Sequence, residues 1–177
     1  MSVKINYSKK INTKSSQNLV LFTNEKFGIS GFKKYLRDNE ILYINDILKT
    51  SDLKKKLLVF DISSRKKIVL VSIKNNLKVS DIENLGADFF ERAKQYKQNE
   101  FSLISDSVLA KHEDFLGHFL HGLKLKSYEF KKYKSKNATN QISLNIVGTK
   151  NKPSAQKQLK FKALEEGTFY ARDLVSE

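Results

Sequence analysis

Strand-like and helix-like segments alternate along this chain, which predicts an α/β fold with a mixed central sheet flanked by helices on both faces. Two local observations sharpen that expectation. The run Ile68-Val69-Leu70-Val71 is apolar on both faces, as a strand covered from each side requires. The β-rich runs 57–62 and 68–73 are separated by Ser63-Ser64-Arg65-Lys66-Lys67, which reads as a hairpin and makes the strand directions mixed.

The elements follow in order. Residues 3–7 and 18–22 are short β-rich runs. Residues 31–50 are helical, in one piece or two, with Phe32, Leu36, Ile41, Ile44 and Leu48 as apolar positions. Beyond the hairpin, Ser80-Asp81-Ile82-Glu83 has the pattern of a capping box, in which the Ser80 hydroxyl accepts from the Glu83 amide and the Glu83 carboxylate reaches back. The helix it opens puts Ile82, Leu85, Phe89 and Ala93 on one face. A strand over 101–104 precedes a helix over about 107–130, where Phe115, Phe119 and Leu123 recur every fourth residue with Leu116 and Leu120 beside them. Ile142-Ser143-Leu144-Asn145-Ile146 alternates as a half-buried strand does. A last helix, from near Ser154, carries Leu159, Leu164, Ala171 and Leu174 as its apolar positions.

Glycine is sparse and Pro153 is the single proline, so no flexible linker divides the chain. Residues 131–153, rich in Lys, Asn and Ser, form the longest exposed connection, with a strand inside it. The expected division is a body over 1–150 followed by a connecting helix over 151–177.

Composition excludes several functions. At 177 residues the chain suits one domain plus a connecting element, and a chain of this size buries roughly 70% of its unfolded surface without staples. The absence of cysteine excludes disulfides, thiolate metal sites and a cysteine nucleophile. No apolar run approaches the roughly 20 residues of a membrane helix, and the first ten residues lack a secretory core. A soluble cytoplasmic protein with no membrane partner is the expectation. The net charge of +14 attracts anionic surfaces non-specifically. Yet all but four of the 33 basic residues are lysine, whereas nucleic-acid sites lean on arginine for bidentate and stacking contacts. A solvated Lys-rich surface is the plainer reading.

Each constellation that could carry chemistry has a structural explanation beside it. His118 and His121 stand three apart on a helix, as zinc ligands can. But His112-Glu113 lacks a second histidine at the metalloprotease spacing, and no third ligand is placed. Satisfied or solvated imidazoles fit better. The pairs Asp81/Glu83 and Glu113/Asp114 fall in the opening turn of expected helices, where they complement the helix dipole. Glu165/Glu166 reads as a solvated helix face. Glycines do not cluster, so no phosphate cradle is expected. Lys124, Lys126, Tyr128, Phe130, Lys131, Lys132, Tyr133, Lys134 and Lys136 interleave cations with aromatics, as single-strand nucleic-acid grooves do. A helix end with Tyr128 and Phe130 turned inward and lysines at the negative pole explains the same stretch.

Two passages together carry a family likeness. His121-Gly122-Leu123, then Tyr128-Glu129-Phe130-Lys131-Lys132-Tyr133-Lys134, resembles the M17 leucyl aminopeptidases, in which a helix ends in Gly-x-Leu before a Tyr-x-Phe-x-x-Tyr-Lys pattern. Gly167-Thr168-Phe169-Tyr170-Ala171-Arg172-Asp173-Leu174 resembles that family's connecting helix with its Ala-Arg-Asp-Leu core. About the last third of the chain carries this likeness; the remainder agrees in element order and length.

The resemblance implies a macro-domain-like amino-terminal domain of a cytosolic, metal-dependent leucyl aminopeptidase, a hydrolase that releases amino-terminal residues from peptides. It implies two divalent ions, manganese or zinc, held by a carboxy-terminal catalytic domain, and no cofactor in this portion. The family signature Asn-Thr-Asp-Ala-Glu-Gly-Arg-Leu is absent, so no catalytic or metal-binding residue carries over and this portion is expected to be inactive. The implied partners are that catalytic domain, peptide substrates and five further copies in a hexamer, with a role in assembly and active-site access. ADP-ribose binding is not expected, because the loop glycines it needs are missing. The resemblance makes Tyr128, Phe130, Ala171, Arg172, Asp173 and Leu174 structural or interdomain residues. Tyr128 and Phe130 are expected to anchor the third helix, Ala171 and Leu174 to pack the last one, and Arg172 and Asp173 to be solvated or unsatisfied here. A nucleic-acid-binding module, or DNA binding as a second role, is the alternative, with Lys131, Lys132, Lys134 and Lys136 as its contacts.

Overall fold

The computed structural model describes residues 2–9, 18–109, 112–129 and 141–176. Six strands form one sheet: β1 (Ser2–Ser8), β2 (Asn18–Asn24), β3 (Leu57–Ser63), β4 (Lys66–Ile73), β5 (Glu100–Ile104) and β6 (Gln141–Val147). Their spatial order is β1-β6-β5-β2-β4-β3. Every neighbouring pair is parallel except β3 with β4, which form the expected antiparallel hairpin. The helices are α1 (Asp38–Thr50), α2 (Val79–Ala93), α3 (Phe115–Lys126) and α4 (Ala155–Ser176). The α/β class and the mixed sheet are as the sequence predicts.

Both faces of the sheet are covered, and the period-2 alternation of side chains divides the core in two. Leu19, Leu21, Ile68 and Leu70 join Phe27, Phe32, Leu36 and Ile44 on the α1 side. Val20, Phe22, Val69 and Val71 join Ile82, Phe89, Phe119 and Leu123 on the α2/α3 side. Phe22 meets Phe115 and Phe119 edge-on, with ring centroids 5.5 and 5.2 Å apart. Each fully buried phenyl contributes about 1.5–3 kcal/mol.

α2 and α3 touch through their backbones. A Cβ added at Gly86 would lie 1.9 Å from the Phe119 carbonyl oxygen, and one at Gly122 would lie 2.0 Å from the Glu83 carbonyl oxygen. Only glycine permits this approach, and Gly122 belongs to the passage that carries the family likeness.

Residues 31–50 fall into two pieces, one of the two options expected: a 3-10 turn, Ser30–Phe32, and α1. Three boundaries differ from expectation. The hairpin strands extend to Ser63 and Lys66, leaving a two-residue turn. α2 begins at Val79, ahead of the expected cap: the Lys78 amide donates to Asp81 Oδ2 at 3.0 Å, so Asp81 closes the helix end and Ser80 and Glu83 do not. The helix expected over 107–130 starts at Phe115 and ends at Lys126. Asp114 sits in the left-handed region with φ 61°, which breaks the helix on its amino side. At the other end the Ser127 amide turns back to the carbonyls of Leu123 and Lys124.

α1 ties to the hairpin through a largely hidden ion pair. The Glu40 side chain is 5% exposed and meets Lys66 Nζ at 2.5 Å, while its other oxygen accepts from the Arg37 amide at 3.0 Å. Burial alone would push this carboxyl up, but the Lys66 ammonium and the Arg37 amide together hold it below the ordinary carboxylate range. A depressed folded-state value stabilises the fold above the unfolded value, near pH 4.3, and that contribution fades as pH falls through the folded value. Glu40→Gln is expected to cost about 2 kcal/mol at pH 7 and to flatten the stability profile between pH 5 and 3. Urea unfolding across that range checks both; an unchanged acid slope would count against this assignment.

Candidate functional site

His118, His121, Tyr128, Arg172 and Asp173, among the residues singled out by sequence, lie where α4 meets the body. Ser154 starts the helix, its hydroxyl accepting from the Lys157 amide at 3.3 Å. No residue of α4 is fully buried. The face turned to the body instead carries half-buried Lys157, Gln158, Phe161, Glu165, Thr168 and Phe169.

Three sets of contacts hold it. At the amino end, Lys157 Nζ pairs with Asp114 and, at 3.2 Å, with Glu113 Oε1. In the middle, Phe161 fits the notch left by Gly117, where a Cβ would lie 2.6 Å from its ring. The His118 and His121 rings flank Phe161, each with its centroid 5.1 Å from the phenyl. At the carboxy end, the Tyr128 hydroxyl donates to Asp173 Oδ1 at 2.7 Å, and its ring lies 5.4 Å from that of Phe169. Arg172 crosses the Tyr128 ring at 5.4 Å and donates from Nη1 to the Leu125 carbonyl at 2.9 Å.

The histidines do not share a ligand. His118 Nδ1 faces Glu83 Oε1 at 3.3 Å, and buried His121 faces Glu165 Oε1 at 3.2 Å through its Nδ1. Glu165 is therefore a docking contact and not the solvated residue its position suggested. Glu83, released from its expected capping role, bridges α2 to α3. A cavity of about 200 Å³ lies beneath α4, lined in part by Tyr7, His121, Lys124 and Glu165. Burial, and then the Glu165 charge, push the Tyr7 hydroxyl up to about 12.

Among the described residues no three His, Asp or Glu side chains converge as a cation requires. Also among the described residues, no helix is long and apolar enough to cross a membrane. A separate crevice of about 340 Å³ opens at the carboxyl ends of β2 and β4 beside Asn24, Lys74, Asn75 and Asn76, and no glycine lines it.

The structure thus brings Tyr128, Arg172 and Asp173 together as mutual partners. Arg172 and Asp173 are exposed to solvent, as one of the two expected options had it, and they also bond within the chain through Tyr128 and the Leu125 carbonyl. Ala171 and Leu174 are exposed and do not pack on the body, because the inward face of α4 is set by Phe161 and Phe169. Phe130, Lys131, Lys132, Lys134 and Lys136 lie outside the described residues. Lys124 and Lys126 are engaged within the chain: Lys124 donates to the Val3 carbonyl at 2.7 Å, and Lys126 lies 3.5 Å from Glu91. Sequence reading missed Phe161 and Glu165 as docking residues and Glu83 as a bridge between α2 and α3. The one available signal was Gly117, a glycine inside a strong helix, which often marks close packing.

No protein-family model matches the sequence, and no curated protein matches it. Solved structures do match. A tomato leucine aminopeptidase variant superposes with a TM-score of 0.70 at 16% identity, covering 99% of this chain and 38% of its own. The cytosol aminopeptidase of Coxiella burnetii gives 0.60 at 14% identity, covering 98% of this chain and 33% of its own. The macrodomain of Thermus aquaticus DarG gives 0.53 at 11% identity, with 84% and 99% covered. The chain spans 33–38% of the length of these two aminopeptidases. Its fold, a six-stranded mixed sheet between helices with a long helix closing the pattern, is the macrodomain-like fold found in the amino-terminal region of leucine aminopeptidases.

Proposed function

We propose that this chain is the non-catalytic amino-terminal domain of a cytosolic, metal-dependent leucyl aminopeptidase, with α4 leading to the catalytic domain. The observation that carries the reading is that body and α4 are matched together, over 99% of this chain, within an aminopeptidase almost three times as long. The passages around Gly122 and Arg172 support it, since Gly122 lets α3 approach α2 and Arg172 joins α4 to the end of α3. In the whole enzyme the following domain would hold two divalent ions, which polarise a peptide carbonyl and activate water. This domain would contribute to assembly and to limiting access to the active sites.

The purified chain, supplied with manganese or zinc, is expected to release no nitroaniline from leucine p-nitroanilide. A polypeptide extended by the next roughly 300 codons, about the size of a large second domain, is expected to release it. Hydrolysis by the chain alone would overturn the non-catalytic assignment. An extended polypeptide without an Asp/Glu/Lys cluster would remove the aminopeptidase reading altogether.

A further inference from the structure

The crevice at the carboxyl ends of β2 and β4 follows from the way the chain leaves them. The two strands run parallel and adjacent. β2 is followed by α1, which packs on one face of the sheet, and β4 by α2, which packs on the other. The outgoing loops therefore part, and the gap between such loops is where open α/β sheets place ligands. Backbone conformation sets these loops apart as well. Among the described residues, Phe27, Asn76, Asp114, Asn151 and Gly148 have positive φ, and each lies on a connection leaving the carboxyl end of a strand. A positive φ at non-glycine positions is costly, and such residues gather at binding sites.

The lining decides what the crevice accepts. Buried Ile73 and Phe115, half-buried Leu77 and exposed Leu109 give it an apolar side. The polar side is made of donors. The side chains of Lys74, Asn75 and Asn76 have no partner among the described residues. Asn24 accepts the Lys26 and Gly28 amides through Oδ1, each at 3.1 Å, which fixes its orientation and leaves Nδ2 unpartnered there. His112, also on the lining, has its Nδ1 at the Glu113 carbonyl. No Asp or Glu lines the space. An ammonium and amides beside hydrocarbon, with no carboxylate, favour an anion that also carries an apolar part. Diphosphates need bare backbone at close range, whereas here side chains occupy the loop positions. At about 340 Å³ the space is at the small end for a ligand. We infer that this crevice binds a small organic anion, one carboxylate or phosphate on a short apolar body. No residue of α4 lines it, and the inference is independent of the aminopeptidase reading.

Titration of the isotope-labelled 177-residue chain with isocaproate, followed by amide NMR, tests this. Binding is expected in the roughly millimolar range of a ligand with few atoms, with shifts centred on Asn24, Lys74, Asn76 and Phe115. Neutral isocaproamide and the bare anions acetate and inorganic phosphate are each expected to bind about tenfold more weakly, having lost half of the recognition. Lys74→Gln is expected to weaken isocaproate binding about tenfold without moving the melting temperature, since Lys74 is exposed. Lys97→Gln, exposed and just before β5, is expected to change nothing. Hexyl phosphate beside isocaproate tells the headgroups apart, the tighter of the two naming the ligand class. Equal losses in the two lysine variants would mean diffuse surface charge and overturn the proposal. So would equal affinity for isocaproate and its amide, tight binding of ADP-ribose, or no shifts up to about 20 mM.

Discussion

Gly122→Ala is expected to destabilise the fold by about 3 kcal/mol, the upper end of ordinary overpacking. The new methyl would sit 2.0 Å from the Glu83 carbonyl oxygen, and a backbone atom inside a helix cannot swing aside as a side-chain tip does. α2 and α3 must part, and the layer of Phe89, Leu85 and Leu123 beneath them must open. Gly86→Ala meets the Phe119 carbonyl from the other helix and is expected to cost as much. The two are not additive, since one separation relieves both clashes. Gly31→Ala is the control, because a Cβ there meets nothing within 4 Å; it is expected to fall within about 0.5 kcal/mol of the parent. Urea midpoints read the difference: at a slope near 2 kcal/mol per molar, Gly122→Ala lowers the midpoint by about 1.5 M. A midpoint unchanged from the parent would show that the helices do not approach so closely.

Phe119→Ala is expected to cost about 3–5 kcal/mol. Its ring is fully buried and joins three others: Phe22 on the central strand β2, Phe89 on α2 and Phe115 one turn earlier on α3. Truncation removes apolar contact with the sheet and with α2 together, in a place where the glycine-mediated backbone contact stops the helices from collapsing into the void. At roughly 2–4 °C per kcal/mol for a chain of this size, the melting temperature should drop by about 10 °C or more. Phe119→Leu, which keeps most of the volume, should retain most of that stability. Near-equal melting temperatures for the alanine variant and the parent would mean the ring is not a keystone of the α2/α3 layer.

Much of this architecture is legible in the sequence because the signals are periodic. The continuous apolar run of β4, the alternation of β6, the hairpin, and the fourfold recurrence of Phe115, Phe119 and Leu123 all appear where those patterns place them. What escapes is decided by single residues acting over distance. Asp114 breaks a run that remains apolar through Val108 and Leu109, and left-handed backbone leaves no mark on hydropathy. Asp81 outcompetes the Ser80/Glu83 capping pair because Glu83 is drawn to His118, 35 positions away. On α4 the leucines suggested an inward stripe, yet the body offers a notch at Gly117 that takes a phenyl. The helix turns Phe161 inward and leaves Leu159 and Leu174 outside. The candidate site follows the same rule: Tyr128, Arg172 and Asp173 are visible as a likeness to other sequences, but their mutual bonding required the fold.

The outer end of the sheet joins two stretches that lie far apart in the chain. Among the described residues, β1 is paired with β6 alone, Ser2 opposite Gln141 through Ser8 opposite Val147. On the ribosome, β1 therefore has no strand to join until β6 has emerged. β2, β3, β4 and β5 can assemble earlier, with α2 and α3 already laid across them, while β1 waits. Contacts of such long range are slow to form, which makes this margin the last part of the sheet to close. A nascent chain halted before residue 147 would hold a nearly complete core with one ragged border.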